Sequence, residues 1–128
     1  MRCTRFLDGV VPEELVDLLQ FTKLQKVSAA SFEAVGALSS VRLGWFGWES
    51  KRFEPSVTLD EQVELLLLIG DVALKDGEPV VHAHAVIANK NGTAHGGHLL
   101  NASVRTNCEV FLTESPANSA GSSIQIQA

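Results

Sequence analysis

The chain has no run of basic residues: its ten Lys and Arg are scattered among fifteen Asp and Glu, for a formal net charge of −5. Long-range electrostatics therefore oppose approach to a phosphate backbone, which argues against direct nucleic-acid binding by this chain alone. Cysteine is scarce. Cys3 and Cys108 form no CxxC or other metal-spaced motif, and their positions in apolar runs suit buried free thiols. The longest apolar run, Leu65 to Ile69, is far too short to cross a bilayer. Met1 to Val10 carries Arg2, Arg5 and Asp8 and no apolar h-region, so it does not read as a signal peptide. The expected compartment is the cytoplasm, with no membrane partner. There is no GxSxG nucleophile motif, no GxxxxGK phosphate loop and no internal repeat.

What remains is an ordinary globular composition, 45% hydrophobic over 128 residues, enough for one domain with one core. Cys3 to Leu7 predicts a short strand closed by the turn pair Asp8-Gly9. Pro12 suits a first helical turn, Glu13 and Glu14 complement the positive end of its dipole, and Leu15, Leu18, Leu19 and Leu24 share a face. A helix over about Pro12 to Gln25 follows.

From Val27 onward the pattern is of strands: Val27 to Glu33, Val41 to Phe46, Arg52 to Leu59, Val63 to Leu68, Asp71 to Leu74, Val80 to Ala88 and Cys108 to Leu112. Asp76-Gly77 signals a hairpin, and Lys90-Asn91-Gly92 a second turn. The fold class expected is α+β, a mostly antiparallel sheet with flanking helices, in one domain over residues 1–114. Residues 115–128, rich in Ser, Ala, Asn and Gln, read as a flexible tail. Val63 to Ile69 is too apolar for a strand with one wet face; it reads as covered on both sides or as an oligomer seam.

The chemistry concentrates in the histidines. His82 and His84 are two apart on a predicted strand, so their side chains emerge on one face, close enough to hold one ion. His98 follows a turn that folds its segment back beside that strand, and Gly96-Gly97 allow close backbone approach. Three imidazoles so placed suit zinc or a similar divalent metal, with an open position for water or a small-molecule ligand. Hydrogen-bonded strand histidines are the alternative reading. His95, in the same turn region, is a possible accessory, as are Arg105 and Glu109 as an anion clamp or acid–base group; each is also a plausible solvated surface residue. Trp45, Phe46 and Trp48 could stack on bases or sugars, but read better as core or subunit-interface anchors.

The segments Gly70 to Leu74, Asp76-Gly77-Glu78-Pro79, His82-Ala83-His84 and Gly96-Gly97-His98-Leu99 together resemble the signature of the PPC (plants and prokaryotes conserved) domain. The likeness spans about residues 3 to 114. It implies a compact antiparallel sheet with flanking helices, assembled as a homotrimer. In the plant proteins the domain follows AT-hooks that bind DNA; no Arg-Gly-Arg-Pro hook core occurs here. Some prokaryotic members resemble the zinc enzyme acetolactate decarboxylase in fold and histidine triad, which maps metal ligation onto His82, His84 and His98 and leaves the catalytic acid unassigned.

Three functions follow as expectations. The first is a homotrimeric metal-binding regulatory or assembly module. The second is a metal-dependent, lyase-like enzyme on a small carbonyl or carboxylate compound. The third is a DNA-associated protein.

Overall fold

The computed structural model describes residues 28–115 together with the backbone of a short strand at Thr4–Phe6. Every regular element described is a strand: β1 (Thr4–Phe6), β2 (Ala30–Gly47), β3 (Arg52–Leu59), β4 (Val63–Lys75), β5 (Glu78–Ala88) and β6 (Ala94–Glu114). They form one antiparallel sheet in the order β1-β6-β5-β4-β2-β3, with β6 also paired to β2. The α+β expectation is therefore corrected to all-β: among the described residues there is no helix. The helix expected over Pro12 to Gln25 and the tail beyond Ser115 lie outside the described residues.

Among the described residues the sheet closes on itself. One edge of β2 pairs with β4 (Ala30↔Val72 to Leu38↔Val63) and then with β3, while its other edge pairs with β6 from Ala30↔Glu114 to Gly44↔His98. β4 pairs with β5, and β5 with the start of β6, which completes the ring β2-β4-β5-β6. Inward faces of these four strands then pack on one another. Leu43, Ile87, Leu112, Val41, Val63 and Val72 are its most buried large side chains. Alternation does the sorting, since side chains of period two point to opposite faces.

Several segments expected as separate strands are continuous. Asp71 to Leu74 belongs to the same strand as Val63 to Leu68, because Gly70 stays in register with Ala83 on β5 and Phe32 on β2. A register shift between Leu65 and Leu67 turns Leu66 and Leu67 both outward, and Ile69 is exposed as well. The run is thus split: Val63, Leu65 and Leu68 are buried in the core, while Leu66, Leu67 and Ile69 are exposed.

Two turns place the site. Asp76 and Gly77 both have positive φ, 53° and 80°, the type I′ geometry whose twist matches a hairpin. This fixes the β4–β5 register at Lys75↔Glu78 and hence Asp71↔His82 and Ile69↔His84. The second turn is tied by Asn side chains: the Thr93 amide donates to Asn89 Oδ1 (3.0 Å) and Asn91 Oδ1 (3.1 Å), and Gly92 takes φ 83°. It returns β6 alongside β5 with His84 opposite His98.

Candidate metal centre

On β5 the inward residues Ala83, Ala85 and Ile87 are buried, so His82 and His84 stand on the outer face, both exposed. His98, directly across from His84, joins them on that face and is half-buried. The three rings converge: centroids lie 4.9 Å apart for His82–His84, 5.1 Å for His82–His98 and 5.4 Å for His84–His98. One ring nitrogen from each lies within 4.8 Å of the others.

The spacing can be tested against a metal. The Nε2 atoms of His82 and His84 are 3.2 Å apart. Two nitrogens at about 2.0–2.1 Å from a tetrahedral zinc are separated by about 3.3–3.4 Å, so this pair already stands at the edge of a coordination tetrahedron. Two such nitrogens face one another either as donor and acceptor or with both lone pairs on a cation. His98 Nδ1 is buried without a hydrogen-bond partner among the described residues. A buried polar nitrogen left unpaired costs about 1–3 kcal/mol, and an imidazole drawn into coordination is one resolution of that cost. The residues present fit a metal ion.

Two neighbours were missed by sequence reasoning. Phe53 on β3 stacks on His98, with centroids 3.8 Å apart and planes 13° from parallel, and Phe46 braces Phe53 edge-on at 5.3 Å. Gly44, which lies between β3 and β6 on β2 as the partner of His98 and of Pro55, carries no side chain. The second neighbour, Asp71, is the cross-strand partner of His82. The hairpin turn at Asp76-Gly77 carried that signal, since a two-residue loop sets the unbroken ladder from Lys75↔Glu78 to Leu67↔Val86. Nothing comparable in the sequence pointed to Phe53.

The accessory residues do not join the site. His95 lies on β6 opposite Ile87, three residues from His98 and on the other face of the strand. Arg105 and Glu109 are seven and eleven residues beyond His98 on β6, roughly 23 and 36 Å along the strand at about 3.3 Å per residue. Trp45, Phe46 and Trp48 are exposed, not core. Cys108 is a free, partly buried thiol; burial, then the Glu109 carboxylate, pushes it up, away from nucleophilic reactivity. Cys3 lies outside the described residues.

Desolvation first, then the charges of His82 and His84, holds the His98 imidazole below its ordinary value. The folded state therefore favours neutral His98, and the unfolded state binds more protons. This contribution to stability is present above the ordinary value of about 6.5 and is lost as pH falls through the depressed one. In denaturant titrations under chelator, wild type is expected to lose more stability between neutral and mildly acidic pH than His98→Gln. Equal losses would show that His98 does not carry this linkage.

A closed antiparallel sheet with three imidazoles gathered on its outer face defines a small β protein bearing a candidate surface metal centre. Residues 13–116 match the Plants and Prokaryotes Conserved (PCC) domain, and the chain belongs to that family. Among solved structures it is similar to a plant- and prokaryote-conserved (PPC) protein of Pyrococcus horikoshii: 36% identity, TM-score 0.82, 88% of this chain and 78% of that one. It is also similar to a protein of Archaeoglobus fulgidus described as metal-containing, at 33% identity and TM-score 0.76, over 89% of this chain and 79% of that one. A third similar structure, from Ralstonia eutropha, is described as a candidate DNA-binding protein (30% identity, TM-score 0.77, 88% and 77% coverage). No curated protein matches the chain in sequence. No helix among the described residues is long and apolar enough to cross a membrane.

Proposed function

We propose that the protein is a metal-binding regulatory or assembly module in which His82, His84 and His98 hold one divalent ion, zinc by the chemistry of an all-imidazole donor set. The observation that carries this reading is the 3.2 Å separation of the His82 and His84 Nε2 atoms beside a third, half-buried imidazole. The likeness to the metal-containing Archaeoglobus protein supports it. A bound zinc would act as a Lewis acid with an open position for a small-molecule ligand. This chain's own residues orient the ligands: Phe53 fixes the His98 ring plane, and the β4–β5 hairpin fixes the spacing of His82 and His84.

A module is favoured over an enzyme because, within one chain, His82 and His84 are exposed and neither Arg105 nor Glu109 reaches them. The assembly we infer is a homotrimer, which would cover Leu66, Leu67 and Ile69 on β4. Metal analysis of untagged protein, with light scattering for mass, tests both parts. Near-stoichiometric zinc in a particle of three chain masses is expected; a metal-free protein would sink the reading of the site, and a monomer that of the assembly.

A DNA-associated role draws on the Ralstonia likeness, but the net charge of −5 points to association through a partner protein, not directly. Direct contact predicts steeply salt-dependent binding to duplex DNA, and none is expected even at low salt.

A further inference from the structure

The β2–β3 ribbon carries different chemistry on its two faces. Phe46 and Phe53 face the histidines. The opposite face, with Trp45 paired to Glu54 and Gly47 paired to Arg52, encloses an open hollow of about 430 Å³ with the adjoining turn. Its lining is Trp45, Gly47, Trp48, Glu49, Ser50 and Glu54. Both tryptophans are exposed, 58% and 83%.

The floor is shaped by what Gly47 lacks. A Cβ there would collide with Ser50 Oγ and come within 3.2 Å of Glu54 Oε2, so the bare α-carbon is what lets the carboxylate settle over the floor. The turn is held by the Lys51 amide donating to the Gly47 carbonyl at 2.8 Å, with Lys51 at φ 58°. Arg52 Nε stands 4.0 Å from Glu54 Oε1 and is largely exposed, so the ion pair is weak.

A hollow lined by two indoles and two carboxylates is complementary to one class of ligand. Indole faces attract cations through their quadrupole, and alkylated ammonium groups, poor in N–H donors, depend on such faces with carboxylates supplying the field. We propose that this hollow binds a small organic cation bearing an alkylated ammonium group. The site is separate from the histidines and does not rest on their reading.

The chain holds two tryptophans and no tyrosine, so its intrinsic fluorescence reports on this hollow alone. Full-length protein, with chelator present, is titrated with choline and with its neutral isostere 3,3-dimethyl-1-butanol. Choline is expected to change the emission saturably and the isostere is not. Trp48→Ala, at an exposed position that leaves the fold intact, should weaken choline binding about fivefold or more while Trp45 still reports. Glu54→Gln should weaken it through charge alone. Equal responses to choline and isostere, or a Trp48→Ala titration like wild type, would overturn the proposal. So would an absent choline response together with a lower particle mass for Trp48→Ala, which would assign the indoles to a subunit contact.

Discussion

Replacing His98 with alanine is expected to reduce zinc affinity by about 100-fold or more, with His82→Ala and His84→Ala close behind. His98 is the hinge of the site. It comes from a different strand than the other two, is the most buried, and alone has its ring plane set by a stacked aromatic. Removing it leaves two exposed imidazoles, a pair that zinc holds weakly. The effect should appear in stability as well. At about 100 times its dissociation constant a ligand specific to the folded state contributes about 2.7 kcal/mol, which for a chain of this size raises Tm by roughly 10 °C. Zinc should raise the wild-type Tm by this order and leave that of His98→Ala where it was. A Tm response in the variant equal to wild type would move the metal elsewhere. Phe53→Ala separates positioning from ligation: it should lose about tenfold in affinity while keeping stoichiometry.

The second large effect is on the fold. Gly97→Val is expected to destabilise the protein by at least about 1–3 kcal/mol, a large share of a typical domain's stability. A Cβ at Gly97 would stand 2.8 Å from the Gly44 carbonyl oxygen and 3.3 Å from Leu43 Cβ, so β6 must leave β2 to admit it. Gly44 is the register partner of His98, and the displacement would also spread the imidazoles. Gly96→Ala is the matched control. Its Cβ would meet Ala85 O at 3.5 Å and Val86 Cγ2 at 3.6 Å, ordinary contacts, and the change should stay within about 1 kcal/mol. Denaturant midpoints of the two variants decide the matter; equal losses would show that the β2–β6 approach at Gly97 is not close.

That pair of glycines also shows where reading the sequence stops. Gly96-Gly97 announces a close approach, but only the register with β2 says that Gly97 makes it. Local pattern was enough for the triad: HxH alternation puts His82 and His84 on one face, and two turn signals bring His98 across from His84. It was not enough for long-range pairing. Whether β2 meets β6 or a helix packs over it depends on contacts some sixty residues apart, as between Ser39 and Ser103. Among the described residues the all-β sheet closes on itself, and a greasy β4 keeps its bulged Leu66 and Leu67 outward. Phe53 was invisible for the same reason: it reaches His98 across a third strand. His95 fell on the wrong face because parity along β6, continuous through the turn's exit, separates positions three apart.

In the proposed function, three imidazoles of this one surface share a single metal ion. X-ray absorption at the zinc K-edge, on untagged protein loaded with one equivalent, addresses it most directly. A shell of three imidazole nitrogens at about 2.0–2.1 Å with one further light-atom ligand is expected, reduced to fewer nitrogens in His98→Ala. A sulfur shell at about 2.3 Å, or a wild-type spectrum unchanged by loss of His98, would contradict it.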